Sequence, residues 1–321
     1  MRIVLKSCKP VPLQICVAAR CDTNHPKTKK GSPMLPKIPG LAVIVRDVQP
    51  GADRTKAFDP AAFAKKASRV TALLEGTAAI KTMYIVSCRD PKQKYGEATN
   101  DHSETLTWQA WKKHAPVLVE SGQIQYVPVD DWGPNLGSGR AVQAGVDAAL
   151  AADFDHIMVW STKLGLQPHQ VSAALAALIR ERLDLVGFLR SHLNHQVTWL
   201  LPQHTGLIGT RDYWEASRIP HYADGDEDIV INTPEGPMPL AGMEDMAYVF
   251  EVQKRKPDLK VGMYLGEDPV PYFGDVKDPE REKKKQARQW FVVLEWARRA
   301  FPGKNPEVVL EQFLESLVTV S

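Results

Sequence analysis

Apolar residues along this chain fall into a repeating alternation of short runs and helical stripes. Residues 41–46 (LAVIVR) are continuously apolar up to Arg46, which predicts a strand buried on both faces. Residues 60–75 then place Ala61, Ala64, Val70 and Leu74 at near-helical spacing, behind Asp59 and Pro60 as N-cap and first helical residue. Further strands are predicted at 82–87 (TMYIVS), 123–129 (QIQYVPV), 156–161 (HIMVWS) and 184–189 (DLVGFL). Helices are predicted between them. One covers 103–120 and breaks at Pro116. A second covers 139–152, with Val142, Val146, Ala149 and Leu150 on one face. A third covers 168–182, with Val171, Leu175, Leu178 and Ile179 inward.

Strands alternating with helices of this length predict an α/β fold: a doubly wound, mostly parallel central sheet with helices on both faces. The flanking regions differ. Residues 1–40 read as two short strands, 2–6 and 13–19, followed by a loop rich in proline and lysine. Residues 191–275 read as loop-rich, with strand-like pieces at 197–201 and 206–210. Two helices are expected to close the chain, over 279–300 and from Asn305 and Pro306 onward, the latter burying Val309, Leu310, Phe313, Leu314 and Leu317. The resulting division is an N-terminal segment, 1–40, a main domain, 41–275, and a C-terminal helical extension, 276–321.

Composition narrows the partners. With 40 basic and 38 acidic residues, the net charge of +2 creates no global field for nucleic acid, and no RNA-binding aromatic motif or zinc-finger spacing is present. No apolar run is long enough to cross a membrane, and residues 1–10 lack the apolar centre of a signal peptide. The four cysteines, Cys8, Cys16, Cys21 and Cys88, form no CxxC pair. The expectation is a cytoplasmic protein with reduced thiols. The basic run Arg281, Lys283, Lys284, Lys285 and Arg288 is a solvated helix face or a weak contact with a membrane surface.

In open α/β sheets, ligands sit beyond the carboxyl ends of the strands. The residues there are Arg46 and Asp47, residues 87–90 including Asp90, residues 130–140, and residues 161–163. The run GPNLGSGR (133–140) joins a strand to a helix. It is either a plain connection or a place where backbone approaches a phosphate, and Arg140 in the first helical turn favours an anion nearby. The pair Glu244 and Asp245, after Gly242, is either a dipole-complementing helix start or a general base and its neighbour. Asp224, Asp226 and Asp228 form a solvated acidic loop or a hard-cation site, without the EF-hand pattern. No HExxH or GxSxG sequence is present.

The order of these pieces over residues 41–265 resembles the GT-A glycosyltransferases, in particular their large inverting family. The matching segments are LAVIVRD, TMYIVSCRD, Asn135-Leu-Gly137 with Arg140 and Gly145, HIMVWSTKLGLQP, PQHTGLIGTRDYW, and Gly242-Met243-Glu244-Asp245. The resemblance implies a nucleotide-sugar donor and an unknown acceptor hydroxyl. It makes Arg46, Asp47, Asp90, Arg140, Ser161 and Lys163 donor-binding, places His204 and Gly242 on the acceptor side, and makes Asp245 the base with Glu244 orienting it.

One departure is built into the match. Aligned on Pro168, Ser161 and Lys163 occupy the positions of the family's metal-binding Asp-x-Asp carboxylates. The expectation is therefore transfer without a metal cofactor, with manganese or magnesium as the alternative. A non-catalytic GT-A-like binding protein is the second reading and a nucleotidyltransferase the third. Residues 47–56 (DVQPGADRTK) meet the glycine-rich first loop of a nucleotidyltransferase poorly.

Overall fold

Successive side chains of a strand point to opposite faces of a sheet. In the strand over Leu41–Arg46, Leu41, Val43 and Val45 join one buried apolar cluster while Ala42 and Ile44 join another. Both faces are covered, as the unbroken apolar run requires. The computed structural model describes residues 40–46, 60–88, 106–129, 139–192, 195–199, 206–217, 230–233, 236–239, 244–266, 270–272 and 279–320. The strands expected at 2–6 and 13–19, and the loop over 24–39, lie outside these residues.

In chain order the elements are β1 (Leu41–Arg46), α1 (Pro60–Gly76), β2 (Ile80–Cys88), α2 (Leu106–His114), α3 (Pro116–Glu120), β3 (Ile124–Val129), α4 (Gly139–Ala151) and β4 (His156–Trp160). Next come α5 (Pro168–Arg180), β5 (Leu185–Phe188), β6 (Arg190–His192), β7 (His195–Trp199), β8 (Gly206–Thr210), α6 (Arg211–Ala216), β9 (Val230–Thr233) and β10 (Gly236–Pro239). The chain closes with α7 (Glu244–Arg255), β11 (Val261–Tyr264), β12 (Val270–Tyr272), α8 (Pro279–Ala300), α9 (Pro306–Ser316) and β13 (Val318–Val320).

Eight strands form the central sheet in the order β3-β2-β1-β4-β8-β5-β11-β13. Every neighbouring pair is parallel except those of β8, which runs antiparallel to both β4 and β5. The mostly parallel sheet expected from the alternation is thus observed. Helices α1, α2 and α5 cover one face through Phe63, Val70, Trp111, Val171 and Leu175. Helices α4, α6, α7, α8 and α9 cover the other through Val146, Trp214, Phe250, Val293 and Phe313. Each large apolar side chain buried this way contributes roughly 1.5–3 kcal/mol. The sheet order is therefore held by two cores.

Local signals set several boundaries. Pro116 cannot continue α2, which stops at His114, and α3 starts on that proline. Helix α5 opens at Pro168 behind a reciprocal cap in which Gln170 Oε1 accepts from the Gln167 N–H at 3.0 Å. The Asn305 side chain caps α9 by accepting from the Glu307 N–H at 2.9 Å.

The region from 191 to 275 bears out the strand-like pieces read at 197–201 and 206–210, as β7 and β8, and is otherwise more regular than the loop-rich expectation. It carries β7 to β12 together with α6 and α7, and it supplies two strands of the central sheet, β8 and β11. Its strands have three to five residues, too few for a hydrophobic period to declare itself. The stretch read as a C-terminal extension feeds the same sheet, since β13 pairs with β11 from Gly262 and Val318 onward.

Candidate functional site at the carboxyl edge of the sheet

The first four strands run parallel and end within about three residues of one another. Val45 is in register with Trp160, Arg46 with Val86, and Val86 with Val127. Arg46 is thus the last residue of β1, at the carboxyl edge. Helix α4 connects β3 to β4, so it starts at that edge, and Arg140 is its second residue, in a first turn without an acidic residue. The helix lies close on β1: a Cβ added to Gly145 would sit 2.4 Å from Ile44 Cγ2. Only glycine permits that approach. This is the glycine that the resemblance singled out, and its role is helix–sheet packing.

Glu244 and Asp245 are the first two residues of α7. The far end of α7 is tied to the amino edge, where Lys256 Nζ meets Asp184 Oδ1 at 2.6 Å just before β5. Helix α7 leads into β11, whose parallel pairing with β5 accounts for the helix ending at the amino edge. Helices α4 and α7 pack on the same face, through Val142 and Val146 and through Met246 and Val249. Chain direction puts Arg46, Arg140, Ser161 and Lys163 at the carboxyl edge, while Glu244 and Asp245 open α7, for which the described contacts give only the far end at the amino edge. Side-chain placement is described only for Ser161 and Lys163 among these. Asp47, Asp90, His204 and Gly242, and also Asp224, Asp226 and Asp228, lie outside the described residues.

Beyond β4 the chain makes a tight, hydrogen-bonded turn. The Leu164 N–H donates to Ser161 O at 2.8 Å, and the Leu166 N–H donates to Leu164 O at 2.9 Å. The buried Trp160 indole donates to the same Leu164 carbonyl at 3.0 Å. The Gly165 N–H reaches Pro271 O at 2.8 Å. The Leu164 side chain plugs the start of β8, where a Cβ on Gly206 would fall 2.3 Å from Leu164 Cδ2. Lys163 is exposed, and its N–H donates to Ser161 Oγ at 3.4 Å. The turn thus buries Leu164 and presents Lys163.

A divalent ion requires several oxygen ligands. At this position the turn offers two hydroxyls, on Ser161 and Thr162, and one ammonium, on Lys163, with no carboxylate, and that side-chain set does not fit a divalent metal. Among the described residues no group of three histidine, cysteine or acidic side chains converges.

The opposite edge is wired differently. Asp184 is 8% exposed; its Oδ2 accepts from the Lys260 N–H at 2.9 Å while Oδ1 takes the Lys256 ammonium. The hydrogen bond to Asp184 raises the Lys256 pKa above the ordinary lysine value. Arg211 joins Asp153 at 2.9 Å and Glu215 at 2.8 Å. His156 opens β4, and burial lowers its pKa against the opposing pull of Asp155. Its Nδ1 is buried without a hydrogen-bond partner among the described residues. None of this edge was singled out from sequence; apart from the i,i+4 pair of Arg211 and Glu215, the Arg211–Asp153 and Lys256–Asp184 partners are 58 and 72 residues apart, beyond any local signal.

No protein-family model matches the sequence, and no curated protein matches it. Solved structures do. A mannosyltransferase from Pyrobaculum calidifontis, in complex with GDP-Man and Mn2+, superposes with a TM-score of 0.51 at 9% identity, over 88% of this chain and 69% of the other. Residues 1–349 of TarS from S. aureus give a TM-score of 0.46 at 10% identity, over 86% and 70%. Glucosyl-3-phosphoglycerate synthase from Mycobacterium tuberculosis gives 0.43 at 10% identity, over 80% of both chains. The chain has a GT-A-like glycosyltransferase fold. Among the described residues no helix is long and apolar enough to cross a membrane.

Proposed function

We propose that the protein transfers a sugar from a nucleotide-sugar donor to an acceptor hydroxyl, without a metal ion. The observation that carries this reading is the turn after β4, where a fold associated with sugar-nucleotide transfer presents an exposed lysine on a bonded backbone. A lysine ammonium about 4 Å from a phosphate oxygen gains about 4 kcal/mol at an effective dielectric near 20. Lys163 and Arg140 together would supply the charge of one divalent ion to a diphosphate leaving group.

The remaining roles follow from the chemistry of transfer. The acceptor hydroxyl must lose its proton, and a carboxylate can take it, so Asp245 is the base and Glu244 its orienting neighbour. Arg46, Asp47 and Asp90 would line the nucleoside side, with Ser161 beside the diphosphate. His204 and Gly242 would face the acceptor. A second reading, a GT-A-like protein that binds a partner or sugar nucleotide without turnover, is favoured by the same absence of carboxylates from the β4 turn.

Calorimetric titration of UDP, GDP and their sugar conjugates tests the proposal. Binding is expected to persist in EDTA and to weaken with salt, because part of the attraction is screened. Lys163→Ala should weaken it by about 1–3 kcal/mol, the worth of a charged hydrogen bond. Strict dependence on Mn2+ would instead direct attention to Asp224, Asp226 and Asp228. No binding under any condition would leave the partner-binding reading in front.

A further inference from the structure

The turn that presents Lys163 is held by one long-range charged contact in addition to its local bonds. Arg69, on α1, donates from Nη1 to the carbonyl oxygen of Thr162 at 3.0 Å, across 93 residues of sequence. Two further backbone groups of the turn are engaged from β4 and β12: Leu164 O by the Trp160 indole, and the Gly165 N–H by Pro271 O. Thr162 O lies between the two residues, Ser161 and Lys163, that occupy the place of the family's metal ligands. A guanidinium and a lysine thus sit on adjoining parts of one turn. Arginine also suits the bond: its planar head is fixed by few hydrogen bonds, whereas a lysine head swivels.

We propose that Arg69 is a positioning residue for nucleotide-diphosphate binding: by holding Thr162 O it fixes the turn through which Lys163 meets the diphosphate. This inference rests on the reading of Lys163 as a donor-binding residue. Arg69 acts through the turn, so its effect depends on Lys163 being present.

A double-mutant cycle with UDP and GDP as probes, measured by calorimetry in EDTA, tests it. Arg69→Ala is expected to weaken binding by about three- to tenfold, and Arg69→Lys, which keeps one donor, to restore part of the loss. In the Lys163→Ala background, Arg69→Ala should add little. Amide exchange at Leu164 and Gly165 should quicken in Arg69→Ala while exchange within β4 stays unchanged, a local readout that global destabilisation would not produce. Additive losses in the cycle, or unchanged exchange at the turn, would overturn the positioning role while leaving Lys163 as a ligand of the diphosphate. Absence of nucleotide binding by the unmodified protein would overturn the site reading, and the inference with it.

Discussion

The two edges of the central sheet use charge in opposite ways. At the amino edge, charged groups satisfy one another: Asp184 holds Lys256 and the Lys260 backbone, and Arg211 joins Asp153 and Glu215. Asp184 also accepts the Thr210 N–H on its backbone carbonyl at 2.9 Å, so one residue ties β5, β8 and the approach to β11 together. At the carboxyl edge, the turn after β4 is held by backbone hydrogen bonds within itself and to β12 and α1, and leaves Lys163 exposed. Charge at the amino edge serves stability. At the carboxyl edge Lys163 is left exposed, as the proposed donor site requires.

If that division is correct, changes at the two edges separate into different measurements. The largest effect is expected for Asp245→Asn. The amide keeps the shape of the side chain but cannot take a proton, so turnover should fall by about 10²–10⁴-fold with nucleotide affinity nearly intact. Steady-state rates beside calorimetry would read both. A parallel loss of affinity would show that Asp245 belongs to the donor side.

Asp184→Ala should do the reverse. It leaves the Lys260 N–H and the Lys256 ammonium without their acceptor, at a cost of about 1.5–3 kcal/mol by chemical denaturation. Nucleotide affinity of the folded fraction should not change. A variant that kept full stability and lost nucleotide binding would break the comparison between the edges.

The smallest effect concerns pH. His156 is held below the ordinary histidine value of 6.5 by burial. Above that value both folded and unfolded chains carry it neutral, and it costs nothing. As pH falls through 6.5 the unfolded chain takes up the proton before the native one does, so stability declines toward the folded pKa. His156→Gln should flatten that slope in denaturation series between pH 7 and 5. An unchanged slope would assign the acid sensitivity of this edge to its carboxylates.

What the sequence determined by itself was local and periodic. The apolar run of β1, the helical stripes of α1, α4 and α5, the stop at Pro116 and the Asn305 cap each depend on residues within a turn or two, where sterics and side-chain direction act directly. The positions of Ser161 and Lys163 at a strand end were legible for the same reason, by their spacing from Pro168. Tertiary structure decided the rest. Whether β8 runs antiparallel between β4 and β5, or β13 closes the sheet beside β11, depends on backbone pairing between distant segments too short to show a period. Likewise, Arg69 reads as one more exposed arginine on a helix until folding sets its guanidinium 3.0 Å from a carbonyl 93 residues away. A hydrogen bond depends on distance in space, and for residues this far apart along the chain their separation carries almost no information about it.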